Sequence, residues 1–516
     1  MKKLVGILSI LVIFLALGTV SAAAAVNGTV KVGLRFGSSA VSSANLENTQ
    51  SGGYALGYYD EGRSFVPLGS IDQTAITMRP GADLGAFEQS GPYGSFAEAA
   101  SAAAGMGGWP AYASGQFYAR RSGGGSGHTS TSVAVTDTSS SAVLFEFDSQ
   151  GIYNLGVLPV GGPTWFKGYR YAGGFEYPRV TGGGLYVVNV VSLEDYVKGV
   201  LPYEMGKGWP EAALQAQAVC ARTYASVTAK HLNTYGFDMC NTTDCQVYNG
   251  VNAAGGDTDA AVDSTAGQRV WYRGALAETV YHSSDGGATE SAENVWGGTV
   301  GYLIGKTDPY EATVSIPNYS YTVTYTPSEL TWVLQNSGYT IGTVKNAYVS
   351  ERTSTGNVYK VTFVDTTGKT LTVKGETCRM AFYSTTYGKN VKSMRFSING
   401  DDSGRGTASG YYVNGSGSSL PSLSGAYTVS GSGAVAPYTG SAPYVLTASG
   451  VQALNGTSGA AVSPSASSAS PGSFVITGTG NGHNVGLSQY GALAMAKQGY
   501  SYRDILNFYY TDITVE

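Results

Sequence analysis

Charge is scarce in this 516-residue chain: only 13% of residues are Asp, Glu, Lys or Arg, and the net charge is −5. A weakly acidic balance of that kind gives no electrostatic footing for a nucleic acid or another polyanion. Cysteine is scarcer still. Four residues, Cys220, Cys240, Cys245 and Cys378, are too few for a disulfide scaffold in a chain of this length and leave at most a local clip or a small metal site. Past the N-terminal stretch, no segment is apolar enough to cross a bilayer.

What the chain has in quantity is Tyr (38) and Gly (73), which suits many short strands joined by tight turns and supplies rings for an uncharged, sugar-like ligand. The first residues, "MKKLVGILSILVIFLALGTVSAAAA", set two lysines before an apolar stretch and end in small residues, so residues 1–25 are expected to be a secretory signal peptide. The apolar stretch is short for a membrane anchor. About 490 residues follow, enough for two to four domains.

Strand character dominates residues 26–80. A different texture, "SGPYGSFAEAASAAAGMGGWPAYASGQFYARRSG", marks a small strand–helix–strand unit within 81–125. Strands return over 132–191, and at "SLEDYVKGVLP" the apolar period changes from two to about 3.6, with Ser192 and Asp195 placed as a helix cap. "GWPEAALQAQAVCARTYASVTAKH" is the best helix in the sequence, with Leu214, Ala218, Ala221 and Ala225 on its apolar stripe and Pro210 and Glu211 suited to its first turn. Residues 130–400 read as one larger domain and 401–470 as a Gly/Ser-rich insertion or linker, largely disordered or loosely draped. The ordered-looking block 471–516 must then pack back onto something earlier. The fold class is α+β, strand-rich with a helical segment.

Five stretches could carry chemistry. In "LPYEMGKGWP", Glu204 sits in an apparent loop between two helices, beside apolar and aromatic residues that could keep it protonated near neutral pH, as a general acid requires; a cap or surface carboxylate is the bland alternative. Gln215 and Arg222 share one face of the long helix and line either a polar cleft behind Glu204 or a solvated surface. "YHSSDGGATESAENVWGG" groups His282 and Ser283 with acids, but without the nucleophile elbow of a serine hydrolase. "GNGHNVGLSQYGA" places His483 in a glycine-rich turn ahead of Ser488, Gln489 and Tyr490, where backbone can approach a ligand closely. "CNTTDC" either closes a short disulfide ring through Cys240 and Cys245 or binds structural zinc with His231 and a fourth ligand.

Taken in order, these stretches resemble the stage II sporulation protein D family, which includes the enhancer proteins of cell-wall amidases. The resemblance covers roughly residues 130–400 and 471–516, and the 81–125 segment resembles a SPOR-type glycan-binding domain. It implies an exported enzyme of a Gram-positive cell wall: a peptidoglycan lytic transglycosylase acting on glycan strands stripped of stem peptides, with no required cofactor. On the family pattern Glu204 is the catalytic glutamate; Arg222, His282, His483, Gln489 and Tyr490 fall on its motifs and, together with Gln215, Ser283 and Ser488, are expected to bind substrate. A lytic transglycosylase uses the muramic acid C6 hydroxyl as nucleophile, so one carboxyl suffices where ordinary glycosidases need two. The alternative within the family is a non-catalytic wall-binding protein that stimulates a cell-wall amidase, and a wall-spanning structural protein is a third reading. Three departures stand out: Tyr203 where Ser is usual, Asn484 where Gly is usual, and Asp244 where many members carry a His, which removes an expected zinc ligand.

Overall fold

The computed structural model describes residues 28–399 and 472–516 except Ser51 and Thr181, together with the backbone of short paired strands between Tyr411 and Ala453. The expected signal peptide lies outside the described residues, as does most of the Gly/Ser-rich insertion. The chain divides into two compact units, one running up to Tyr281 and resuming at Gly486–Glu516, the other His282–Val485.

The first unit is built on two sheets. A seven-stranded sheet runs in the order Met239–Cys240, Thr29–Arg35, Val187–Ser192, Gly174–Tyr177, Leu155–Pro159, Tyr54–Tyr59, Phe65–Ile71. Its strand Val187–Ser192 reads VVNVVS and is buried on both faces until Ser192, so β-branched residues occupy a central position where both sides pack. A nine-stranded sheet contains Phe87–Tyr93, Trp109–Ala113 and Gln116–Ser122 at one end, with Trp109–Ala113 pairing parallel to Val143–Asp148. The helix Phe96–Met106 is capped by Ser95, closes on the left-handed Gly107, and buries Ala99 and Ala103. The 81–125 segment thus has the expected strand–helix–strand order plus one more strand, and its strands continue into a sheet shared with 44–47, 75–80, 133–148 and 164–171. Strands from 26–80 are likewise woven into both sheets, where Thr29–Arg35 pairs with Val187–Ser192 and Ala75–Pro80 with Val133–Asp137.

Helices cover the rest of the first unit. The long helix Glu211–Val227 buries Leu214, Ala218, Ala221 and Ala225 as its stripe requires. The C-terminal helices Gln489–Lys497 and Tyr502–Tyr509 belong to this unit. There Tyr510 Oη lies 3.4 Å from Cys220 Sγ on the long helix and donates to Val280 O at 2.9 Å. The terminal strand Thr514–Val515 pairs with Val270–Tyr272. The closing block therefore does pack back, onto the helix that follows Glu204.

The second unit has its own core, in which Tyr325, Leu330, Leu334, Phe363 and Phe382 are fully enclosed. Two three-stranded sheets frame it: Ser320–Tyr325 with Phe474–Thr479 and Phe396–Ile398, and Val344–Arg352 with Val358–Asp365 and Thr370–Lys374. Among the described residues no helix is long and apolar enough to cross a membrane.

Candidate active site

The strand Val187–Ser192 feeds directly into the helix Leu193–Glu204, whose first turn is capped by Ser192 Oγ accepting the Asp195 N–H at 3.1 Å. Glu204 is the last residue of this helix, where the sequence suggested a loop, and Pro202 lies inside the final turn. Proline's fixed φ is compatible with helical backbone, and the helix ends two residues on, with the Met205 N–H donating to Leu201 O at 2.9 Å. The sequence's Pro/Gly-rich texture concealed that last turn.

Glu204 is half-buried. Oε1 accepts the backbone N–H of Val247 at 3.1 Å and Oε2 accepts the side-chain amide of Gln489 at 3.3 Å, while the Tyr281 hydroxyl stands near enough to the same carboxyl to favour its ionised form. The proton on Tyr281 is aimed by a chain behind it. Tyr196 donates its hydroxyl to Gln246 Oε1 at 3.0 Å, which leaves Gln246 Nε2 to donate to Tyr281 Oη at 3.1 Å. An amide nitrogen can only donate, so the Tyr281 oxygen accepts from Gln246 and its own hydrogen is free to point at Glu204. Burial raises the Glu204 carboxyl above its ordinary value, while Val247, Tyr281 and Gln489 pull it back down. Burial and the nearby Glu204 push the Tyr281 phenol far up, so it remains a donor.

Gln489 is buried and opens the helix Gln489–Lys497, whose N-cap Ser488 accepts the Gly491 N–H at 3.1 Å. Tyr490 follows it and its ring centroid lies 5.2 Å from that of Trp209, in the loop after Glu204. Glu204 and Gln489 are thus brought together, 285 residues apart in sequence. Arg222 is neither cleft-lining nor solvated: it is fully buried and paired with Glu194, with Nε at 2.8 Å and Nη2 at 2.7 Å, and it also donates to Val262 O and Gln268 O. Gln215 donates to Glu211 at 2.9 Å and to Ser264 at 3.0 Å. Tyr281, Gln246, Val247 and Trp209 were not singled out from sequence, although all lie inside or next to the motifs that were.

His282, Ser283 and His483 belong to the second unit. The rings of His282 and His483 stand 5.3 Å apart at a steep angle, with Trp296 5.1 Å from His483. His282 Nδ1 is 3.1 Å from Val485 O and must donate to it, while His483 Nδ1 accepts the Val485 N–H at 3.1 Å. Burial and the neighbouring His483 push the His282 imidazole well below its usual value, so it is neutral. Glu290 is occupied by Thr353, Thr355, Asn294 and Asn357, so its carboxyl is engaged away from His282. Asn484 explains its own departure from glycine. Its φ is +66°, a conformation Asn tolerates better than other side chains, and its fully buried amide bonds Asp285 O, Ala288 O and the Met394 N–H.

A potential metal cluster lies in the first unit. One donor atom from each of His231, Cys240, Asp244 and Cys245 falls within 4.8 Å of the rest, and Cys240 and Cys245 stand as free thiols. The Cys240 thiol is held down to about 5 by the hydrogen bond from Cys245, whose own thiol is pushed up by it. His231 Nε2 is buried, 3.3 Å from Asp244 Oδ2, and makes no hydrogen bond. Asp244 thus brings a carboxylate oxygen among the other three donors. Two sulfurs, one nitrogen and one oxygen fit zinc. The strand Met239–Cys240 that presents Cys240 pairs with Thr29–Arg35, close enough that the Phe237 ring fills the space a side chain at Gly33 would need.

Replacing Asn484 by Ala removes three buried hydrogen bonds and keeps the left-handed backbone strained, so a loss of about 3 kcal/mol is expected. Asn484→Gly should cost about 1 kcal/mol less, because it relieves the backbone; urea unfolding of both variants measures the difference.

The stage II sporulation protein family model matches residues 181–272, the stretch from the buried central strand through the Glu204 helix to the strand that pairs with the C-terminus. An uncharacterised protein of Brachyspira hyodysenteriae is 30% identical over 333 residues, spanning 64% of this chain and 68% of its own length. The amidase enhancer of Bacillus subtilis is 28% identical across 62% of this chain and 40% of its own length. The stage II sporulation protein D of the same species is 25% identical across 63% of this chain and 74% of its own. With the Glu204 helix, the long helix behind it and the returning C-terminal block all inside one compact unit, the chain belongs to the stage II sporulation protein D family.

Proposed function

We propose that this protein is an exported peptidoglycan lytic transglycosylase in which Glu204 serves first as acid and then as base. The observation that carries the reading is the Glu204 carboxyl itself: half-buried, raised by burial, and met by three neutral donors. Protonated Glu204 gives its proton to the glycosidic oxygen between muramic acid and glucosamine. As a carboxylate steadied by Val247, Tyr281 and Gln489, it then takes the proton of the muramic C6 hydroxyl, which attacks the oxocarbenium-like carbon and leaves a 1,6-anhydro end. Trp209 and Tyr490 offer apolar ring surface for a sugar, and the 81–125 segment is proposed to hold stem-peptide-free strands. The names of the Bacillus subtilis relatives fit a role in cell-wall remodelling or sporulation. The amidase enhancer relative supports the second reading, in which a cell-wall amidase is the partner.

On the first reading, protein lacking residues 1–25 releases anhydro-ended products from denuded glycan, and Glu204→Gln loses about 10²–10⁴-fold in rate. Mass spectrometry of the digest decides: reducing ends, or an unimpaired mutant, would sink the lytic assignment, and a protein that cuts nothing yet raises amidase turnover would establish the second reading.

The pH profile tests the acid role separately. Glu204 must enter protonated, so rate falls as pH rises through its elevated pKa. Tyr281→Phe removes a hydrogen bond that favours the ionised form, so the alkaline limb should move to higher pH; an unmoved or lowered limb rules out Glu204 as the titrating acid.

We also propose structural zinc at His231, Cys240, Asp244 and Cys245, where it would tie the 240–245 loop to the stretch that supplies Val247. Elemental analysis of desalted protein is expected to give about one zinc per chain in the wild type and less in Asp244→Ala; a Cys240–Cys245 disulfide without metal would replace the proposal.

A further inference from the structure

The second unit encloses three acids against one another. Asp285, Asp308 and Glu311 are 0%, 3% and 1% exposed, and one oxygen from each lies within 4.8 Å of the others. Most of their oxygens are anchored by the surrounding backbone. Glu311 accepts Ser284 Oγ at 2.8 Å, the Asp285 N–H at 2.8 Å and the Gly286 N–H at 3.1 Å. Asp308 Oδ1 accepts the Tyr310 N–H at 2.7 Å, and Asp285 Oδ1 accepts the Gly287 N–H at 2.7 Å. The Asp308 N–H in turn donates to Gly287 O at 3.0 Å, and Ala288 bridges Thr307. The two segments 284–288 and 307–311 are thereby fixed with their acids converging.

One oxygen is left over. Asp285 Oδ2 is buried and has no hydrogen-bond partner, although the Asp285 carboxyl comes within hydrogen-bonding reach of Asp308. Between two ionised carboxylates that approach is repulsive, so a positive species must stand between them. A divalent cation placed there satisfies the orphan oxygen. The donors are all hard oxygens, and with none farther than 4.8 Å from another a single ion with calcium–oxygen bonds of about 2.3–2.6 Å can reach all three.

We propose that Asp285, Asp308 and Glu311 bind one calcium ion that clamps the 284–288 turn to 307–311. The turn begins two residues after His282 and its Asp285 carbonyl receives the Asn484 amide, so the clamp also steadies the His282–His483 pair within this unit. The inference is independent of the lytic assignment.

The test uses the full chain from residue 26, replete in zinc, with terbium and calcium as probes. Terbium luminescence excited through tyrosine should appear, since the Tyr319 hydroxyl senses both Glu311 and Asp285, and calcium should displace it. Adding calcium to chelated protein should raise the unfolding midpoint by about 5–10 °C at a hundredfold excess over Kd, whereas zinc alone should not. Asp285→Asn and Asp308→Asn should each abolish both effects. A wild-type midpoint and terbium signal indifferent to calcium would assign the cluster to a shared proton and overturn the proposal. Calcium effects that survive in both variants would overturn it as well, by locating the ion elsewhere. Should one variant fail to fold, the wild-type titration and the other variant still decide.

Discussion

A carboxyl drawn partly out of water must be met by donors, and those of Glu204 arrive from three separate stretches of chain. Val247 lies just past the cysteine loop, Tyr281 ends the chain's first passage through the first unit, and Gln489 begins its return. No one of these stretches could make the site alone. The fold therefore has to bring residue 489 back to residue 204 across an entire second unit. Contacts inside the first unit do so: Leu487 donates to Val280 O at 3.3 Å, Tyr510 to the same carbonyl at 2.9 Å, and Glu516 and Arg269 exchange backbone hydrogen bonds. Points of departure and return are fastened together, so the length of the intervening chain matters little to the site, as the slow growth of loop-closure entropy with length allows.

This dependence decides what could be read from sequence. Glu204 and Gln489 were legible because each sits in a motif with a recognisable texture. The helix cap at Ser192 and the alanine stripe were legible because local spacing determines them. Tyr281 was missed by one position: the eye for chemistry stopped at His282, whereas the residue before it on the same short strand supplies the hydroxyl to Glu204. Gln246 and Val247 were overshadowed by the cysteines beside them. Arg222 escaped both local readings, because spacing says which face a residue occupies and nothing about whether Glu194 waits there to receive it. Domain limits were the least legible feature. Strands from the first eighty residues hydrogen-bond to strands beyond residue 130, and sheet partners at such separations leave no mark on local composition.

The cluster at His231, Cys240, Asp244 and Cys245 shows what a departure from a motif can leave in place. A histidine replaced by aspartate looks like a ligand removed. In three dimensions Asp244 still reaches the position, 3.3 Å from His231 Nε2, and Lys230 pairs with its other oxygen. A carboxylate oxygen stands among the His231, Cys240 and Cys245 donors. At Asn484 the same logic holds for the backbone, since the left-handed conformation that glycine ordinarily serves is retained, and the added amide is used for buried hydrogen bonds.

Buried acids in this protein show that burial by itself does not set an ionisation state. Glu146, deep in the first unit, would be raised by its enclosure, yet His128 at 2.6 Å, Arg120 at 2.8 Å, Ser132 at 2.6 Å and Trp109 at 3.0 Å hold it down to about 2. The Arg120 guanidinium and the neighbouring hydrogen bonds keep that site an anion, suited to fastening strands and useless for giving up a proton. Glu204 receives only neutral donors, which temper the effect of burial without cancelling it. Asp285 is raised well above its ordinary value by burial and by the acids it faces. The charge of the neighbours, more than the depth of the residue, thus separates a structural carboxylate from one able to exchange a proton and from one that calls for a cation. By that criterion the acid closing the Leu193–Glu204 helix suits the acid–base role proposed for it: a cation beside it would have fixed it as an anion, and solvent alone would have left it ionised at neutral pH.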